Sequence, residues 1–273
     1  MPRLSVFELD DTGLIALQAD QRFSYALHVP EAYRPDAEAV QEFDVIIAVH
    51  GSDRPAMAYR DGFSGLARKL RCFVLAPLFP IGIITPGEVD NYKFIDFRGL
   101  RYDLLLIAMM AEIEARYRIR FRRAVMHGFS GGGQFVHRFY YLHPGRLWAV
   151  SIGAPGRITL LDDTRPWWVG TADVARRFGR GIDVAALREV KVQLIIGADD
   201  TGTQGMAMAE DSPGWMAGAN DAGRNRRERL ETLRGNLADH GIRSRLDVVP
   251  GVAHVGQGPI LDAAAAFFEE CLR

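Results

Sequence analysis

Cysteine is nearly missing from this chain: Cys72 and Cys271 are the two among 273 residues. Neither belongs to a Cys-x-x-Cys pair or stands beside histidines, so the pattern supports neither a zinc site nor a disulfide framework. Cys72 precedes an apolar strand-like run and Cys271 lies on the apolar face of the last helical pattern. Both read as buried thiols, which fits a cytoplasmic setting. An excess of one charge is also missing. Lysine and arginine number 33 against 34 acidic residues, a formal net charge of -1, so no global field recruits nucleic acid or a membrane surface. Long hydrophobic runs are lacking: the longest, residues 104–111, is too short to span a bilayer. Residues 1–10 lack the basic region and apolar core of a signal peptide. Several nucleotide and metal motifs are absent as well. There is no Gly-x-x-x-x-Gly-Lys-[Ser/Thr], no Gly-x-Gly-x-x-Gly and no His-Glu-x-x-His, so no cofactor and no metal is expected.

What is present is an ordinary globular composition, 48% hydrophobic and 25% charged, with length enough for one large α/β domain. Residues 22–29 (RFSYALHV), 43–49 (FDVIIAV), 72–77 (CFVLAP), 124–127, 147–152 (LWAVSI), 192–196 (VQLII) and 246–249 read as strands. The near-continuous apolar runs are those of strands buried on both faces. Helical spacing is found over 58–70, 100–117, 134–142 and in the last turns from Ile260 to Cys271. Strands alternating with helices predict a mostly parallel sheet covered on both faces. Residues 78–99 read as a loop. Residues 157–190 and 201–229 break the alternation and read as cap or pocket-wall insertions, with Trp167, Trp168 and Trp215 as candidate substrate-binding residues beside Phe129. The arginine-rich segments 116–123 and 224–229 read as solvated helix ends or loops.

The most informative stretch is Val125-Met126-His127-Gly128-Phe129-Ser130-Gly131-Gly132-Gly133. An apolar strand runs into Gly-x-Ser-x-Gly and a helix follows at once, which is the context a nucleophile elbow needs. In an open parallel sheet, ligands bind beyond the carboxyl ends of the strands. Those ends carry His50-Gly51-Ser52-Asp53, then Ser130, then Asp199-Asp200, then His254. A serine needs a base during attack, a neutral histidine can take the proton and return it, and an aspartate can hold the imidazole tautomer. Ser130, Asp200 and His254 are therefore the candidate catalytic residues, with Asp199 the alternative acid. The amide of Gly131 follows the nucleophile and is a candidate oxyanion donor. The second is expected from Ser52, or from Asp53. His50 reads as a shaper of the turn after its strand, and His127 as structural through a bond to backbone. His28, His137, His143 and His240 read as surface or packing residues.

The motifs VIIAVHGS, VMHGFSGGG, LIIGADD and PGVAHVG, in that order, resemble the α/β-hydrolase superfamily over nearly the whole chain. The GFSGGG elbow looks closest to small esterases and polyhydroxyalkanoate-depolymerase-like proteins. The Gly-x-x-Asp spacing of that family, laid on Gly197, selects Asp200. The resemblance implies an α/β-hydrolase fold and a serine hydrolase that cleaves a carboxylic ester of a small molecule through an acyl-enzyme on Ser130. Lactones, thioesters, amides and acyl transfer use the same machinery, and a non-catalytic small-molecule receptor is the alternative of another class. The sequence is compatible with a homo-oligomer.

Overall fold

A computed structural model describes residues 4–273, leaving the first three residues of the segment read as no signal peptide outside the described part. In chain order its elements are β1 (Ile15–Ala16), β2 (Ser24–His28), β3 (Gln41–Val49), α1 (Ala56–Leu70), β4 (Phe73–Leu78), β5 (Asp96–Phe97), β6 (Leu100–Arg101), α2 (Tyr102–Tyr117), β7 (Ile119–Phe129), α3 (Gly131–Leu142), β8 (Ala149–Gly153), α4 (Val174–Phe178), α5 (Val184–Glu189), β9 (Lys191–Gly197), α6 (Arg226–Asp239), β10 (Ser244–Val249) and α7 (Pro259–Leu272). Eight strands form one sheet in the order β1-β2-β4-β3-β7-β8-β9-β10. From β4 through β10 every neighbouring pair is parallel, and β1 and β2 complete the edge in antiparallel pairing. β5 and β6 make a separate small hairpin.

The central strands are apolar because both faces are covered. Val45 to Val49 on β3 and Val125 and Met126 on β7 are fully buried, the expected signature of a parallel sheet between two helical layers. Cys72 and Cys271 are both buried and free. Among the described residues, no helix is long and apolar enough to cross a membrane.

Three departures from the sequence expectation have physical reasons. Of the basic segment 116–123, read as a solvated helix end or loop, Arg116 to Arg118 do close α2, whereas residues 119–123 are the first half of β7. Its residues alternate in burial through Arg123, the period-2 pattern of a strand with one wetter face. The register shifts at this point between Phe43 and Val45 on β3. Arg122 and Arg123 converge there on Asp44, at 2.9 and 2.6 Å, which absorbs the positive charge. The second basic segment caps and opens α6, a helix not foreseen. Asn225 accepts from Glu228 N at 2.8 Å as the N-cap, and Leu230, Leu233 and Leu237 bury one narrow stripe. Arg229, far from solvated, is 2% exposed.

Backbone contact at the turn between β7 and α3 is too close for side chains. A Cβ on Gly132 would lie 2.4 Å from Val49 O and 2.7 Å from His50 O, and one on Gly128 would lie 2.5 Å from Gly132 C. The chain can reverse here only with glycine at both positions. Gly132→Ala should therefore lose about 1–3 kcal/mol of stability in urea unfolding, as an overpacked site does. Gly145→Ala, where a Cβ meets nothing within 4 Å, should leave the midpoint unmoved.

Candidate active site

Ser130 stands between β7 and α3 with φ 55° and ψ -113°. Such a conformation costs a non-glycine residue about 1–3 kcal/mol, and the surroundings hold it in place. Ser130 N donates to Gly153 O at 2.8 Å, and Gln134 N donates to Ser130 O at 3.1 Å. The turn lifts the hydroxyl out of the sheet edge and leaves the first amides of α3 unpaired.

The loops after β9 and β10 are stitched together by backbone. Ala198 N donates to Val249 O at 2.8 Å, and Asp199 N donates to Val252 O at 2.9 Å. A Cβ on Gly197 would lie 2.2 Å from Val252 O, so the loops touch without side chains between them. This brings His254 to Asp200. His254 Nδ1 lies 2.6 Å from Asp200 Oδ2, and Nε2 lies 3.0 Å from Ser130 Oγ. An ionised carboxylate can only accept, so Nδ1 carries the hydrogen and Nε2 faces the hydroxyl as an acceptor. The Asp200 side chain is 2% exposed and that of His254 30%. Asp200 also has Arg226 Nη1 at 3.4 Å, whereas Asp199 is exposed. Of the two adjacent acids, Asp200 is thus the one that meets the imidazole.

The turn after β3 faces the same hydroxyl. Ser52 Oγ is 3.1 Å from where a Cβ on Gly131 would stand, so the two residues are side by side. Among the described residues, no hydrogen bond takes up the N–H of either Ser52 or Gly131. Polar pins immobilise this turn. Phe79 N donates to His50 Nε2 at 3.0 Å, which leaves the proton on His50 Nδ1 to reach Gly51 O at 2.8 Å. Tyr92 Oη donates to His50 O at 3.0 Å. Arg54 donates to Ser52 O, to Phe79 O at 3.1 Å and to Val89 O at 2.6 Å, and its guanidinium lies over the Tyr92 ring. His50 is thus a brace of the loop. His127 is buried too, but its Nδ1 bonds to the Ser151 hydroxyl at 2.9 Å and not to backbone.

A cavity of about 440 Å³ opens over Ser130, walled by Ser52, Tyr59, Phe129, His254 and Gln257 among others. The Phe129 ring packs on the His254 imidazole, with centroids 4.9 Å apart. Tyr59, a wall residue that sequence reasoning missed, keeps its phenol protonated because burial raises its pKa. It lies on α1, where nothing in the local pattern marks it apart from core.

The tryptophans stand elsewhere. Trp167 and Trp168 are buried, their indoles donating to Phe94 O at 3.0 Å and Gly214 O at 2.9 Å. Trp215 is half-buried against the core. None of the three is among the residues that wall the Ser130 cavity. Trp167 and Trp168 anchor the insertions instead, because an indole that is buried on one face still needs an acceptor for its N–H.

Arginines do similar work beneath the insertions. Arg138 donates to Thr159 Oγ1 at 2.8 Å, to Lys93 O at 2.5 Å and to Arg157 O at 3.3 Å. Arg229 donates to Gly156 O, to Gly223 O at 2.9 Å and to Met206 O at 2.7 Å. Burial lowers the Arg138 pKa to about 9 and the Arg229 pKa to about 10. One group of described residues, Asp10, Asp11 and His28, has the spacing of a metal site. Arg68 already pairs with Asp11 at 3.2 Å, and His28 Nδ1 with the same carboxylate at 2.7 Å.

No family model and no curated relative matches this sequence. Solved structures do. One is a poly(3-hydroxybutyrate) depolymerase from Bordetella parapertussis, with 23% identity and a TM-score of 0.73 over 96% of this chain and 91% of that one. Another is poly(aspartic acid) hydrolase-1 from Sphingomonas sp. KT-1, with 18% identity and a TM-score of 0.68 over 96% of this chain and 97% of that one. A ferulic acid esterase matches at 16% identity and a TM-score of 0.60, over 97% of each chain. The architecture is the α/β-hydrolase fold.

The two braced histidines give the site a pH signature. Burial depresses both from 6.5 to about 3. Between those values the unfolded chain binds more protons than the folded one, so stability falls as pH drops through the window. The slope is up to about 1.4 kcal/mol per pH unit for each histidine. Urea unfolding from pH 7 to pH 4 should show this loss, and His127→Gln, which keeps a donor for Ser151, should show a shallower one.

Proposed function

We propose that the protein is a serine hydrolase that cleaves a carboxylic ester through an acyl-enzyme on Ser130. One observation carries the reading: a strained serine at a strand-to-helix turn is joined in a single hydrogen-bonded chain to His254 and the buried Asp200. Serine needs a base, and the Nε2 lone pair points at its hydroxyl.

In this reading Ser130 Oγ attacks the ester carbonyl carbon while its proton passes to His254 Nε2. The carbonyl oxygen takes the negative charge and is met by the amides of Gly131 and Ser52. Each such donor is worth roughly 10²- to 10³-fold in rate. Asp200 holds the ring and stabilises the imidazolium without taking its proton. Collapse of the tetrahedral species breaks the bond to the alcohol oxygen, which leaves with the proton from His254. Water then gives a proton to His254 Nε2 as it attacks the acyl carbon, and a second collapse frees the acid and restores Ser130. Relatives in fold that are named as a depolymerase, a hydrolase and an esterase support this class of chemistry. The cleft walls, Phe129 and Tyr59 among them, favour an ester with an apolar portion.

Turnover of 4-nitrophenyl esters from acetate to octanoate tests this directly. Ser130→Ala should reduce kcat by about 10⁴-fold or more and abolish labelling by a fluorophosphonate. Asp200→Asn should cost about 10⁴-fold, while Asp199→Asn should stay near wild type. A folded protein that neither turns over an ester nor labels at Ser130 would show that the fold serves as a receptor here.

A further inference from the structure

Among the described residues that wall the Ser130 cavity there is neither a lysine nor an arginine, and Asp53 contributes a carboxylate. Asp53 follows Ser52 on the turn after β3 and is exposed at the rim. No cation neutralises it. The adjacent Arg54 is engaged by the carbonyl oxygens of Ser52, Phe79 and Val89. Among the described residues the Asp53 carboxylate has neither an ion pair nor a hydrogen bond. Nor does it cap α1, which opens at Ala56 without a side-chain cap. Its place is also electrostatically unfavourable. The amide of Ser52 on the same turn is expected to meet the oxyanion, and a bare negative charge beside it opposes the charge that develops there. A cation brought to Asp53 would offset that opposition.

A second unpartnered group faces the same space. Tyr59 is 3% exposed, yet among the described residues its Oη has no hydrogen-bond partner. That oxygen is not sealed within the protein either, so it opens on the cavity that the residue walls. A buried phenol ordinarily finds a partner, and here the partner is one that arrives with a ligand. The two groups are close together. A Cβ on Gly51 would lie 2.9 Å from Asp53 Oδ1 and 4.0 Å from Tyr59 Oη, and one on Gly256 would lie 2.5 Å from Tyr59 Oη. Tyr59 Oη thus stands between the Asp53 carboxylate and the loop after His254. Direction follows from the mechanism. The leaving alcohol oxygen must lie near His254 Nε2, and the wall beyond it is made by Val255, Gly256 and Gln257. The alcohol portion of an ester therefore runs toward Tyr59 and Asp53.

We propose that the alcohol portion of the substrate carries an ammonium group, held by the Asp53 carboxylate and the Tyr59 hydroxyl at the rim of the Ser130 cavity. An ammonium offers three N–H donors and no acceptor. The carboxylate accepts one in a charge-assisted bond, and the phenol oxygen, which keeps its proton, accepts another. The proposal rests on the hydrolase reading of Ser130.

Two length-matched esters test it, hexyl butyrate and 5-aminopentyl butyrate, which differ by an ammonium in place of a terminal methyl. With the released acid titrated, wild type should favour the aminopentyl ester by about three- to tenfold in kcat/KM. That range lies between an exposed ion pair and a charge-assisted bond within a cleft. Asp53→Asn should erase most of the preference, and Tyr59→Phe part of it. Should these variants fail to fold, the wild-type ratio still decides, because raising salt from about 20 to about 500 mM should shrink a preference that arises from charge. A wild-type ratio at or below one, or a preference indifferent to both salt and Asp53→Asn, would overturn the ammonium site. Ser130-dependent turnover of the hexyl ester would then keep the hydrolase reading intact. Equal preference for 5-hydroxypentyl butyrate would overturn it in favour of a neutral hydroxyl ligand. Turnover of neither ester by a protein that a fluorophosphonate does label would overturn it as well. Absence of both labelling and turnover would instead remove the reading on which it rests.

Discussion

Everything at the site depends on one backbone contact, the seating of the first turn of α3 on the carboxyl ends of β3 and β8. The contact excludes a Cβ on the first-turn glycines: one on Gly133 would lie 2.3 Å from Gly153 O, and one on Gly132 2.4 Å from Val49 O. Because the helix cannot stand farther out, the chain must turn within one residue, and that residue is Ser130 at φ 55°. The same closeness sets the amide of Gly131 beside Ser52 on the neighbouring strand end. Strain at the serine and the juxtaposition of Gly131 and Ser52 are therefore one constraint seen from two positions. The core supplies the energy for it, since the buried strands on either side register with β7 residue by residue.

A second layer of polar contacts converts that frame into fixed geometry. Loops at strand ends are inherently mobile, and a displacement of about 1 Å at a reacting group can cost about 10²-fold in rate. Here the turn after β3 is tied by Arg54, His50 and Tyr92, and the turns after β9 and β10 are tied to each other by backbone. Neutral imidazole is essential to the brace at His50, because Nε2 must accept from Phe79 while Nδ1 donates to Gly51. Burial guarantees that protonation state by holding its pKa far below neutrality. The histidine beside Ser130 differs. His254 remains partly open to solvent, its tautomer set by a carboxylate and not by burial.

The sequence was most legible where chemistry and topology coincide. Ser130, Asp200 and His254 each follow an apolar strand, and parallel topology sends every strand end to the same edge, so three distant residues could be placed together from pattern alone. Asp200 could be preferred over Asp199 by spacing, and it is the one the imidazole meets. Legibility failed where a residue type has two common environments. Arg229 lies in a run of charge that reads as solvent-facing, yet it is buried on carbonyl oxygens, two of them, Gly156 and Met206, contributed by segments distant in sequence. The tryptophans read as pocket walls, and only tertiary contacts show Trp167 and Trp168 tied into the insertions. The opening half of β7 was hidden because Arg122 and Arg123 are neutralised by Asp44, a partner on the adjacent strand with no sequential signal. Tyr59 was invisible for a related reason: on a helix it has the spacing of core, and its neighbours Gly51 and Gly256 come from other elements.

The insertions expose a tension between holding a wall and balancing its charge. A segment without regular structure carries unpaired carbonyl oxygens into the interior, and arginine can satisfy several of them at once because its guanidinium presents five N–H donors. Arg138 ties the carbonyls of Lys93 and Arg157 together, and Arg229 does the same for Gly156, Gly223 and Met206. Each such bond trades an unsatisfied acceptor for an uncompensated cation. A carboxylate in the same place would have neutralised charge but left the carbonyls unmet, since it donates nothing when ionised. The wall is consequently rigid and electropositive for a single reason. Its rigidity and its charge both come from buried guanidinium groups that hold the insertion backbone in place.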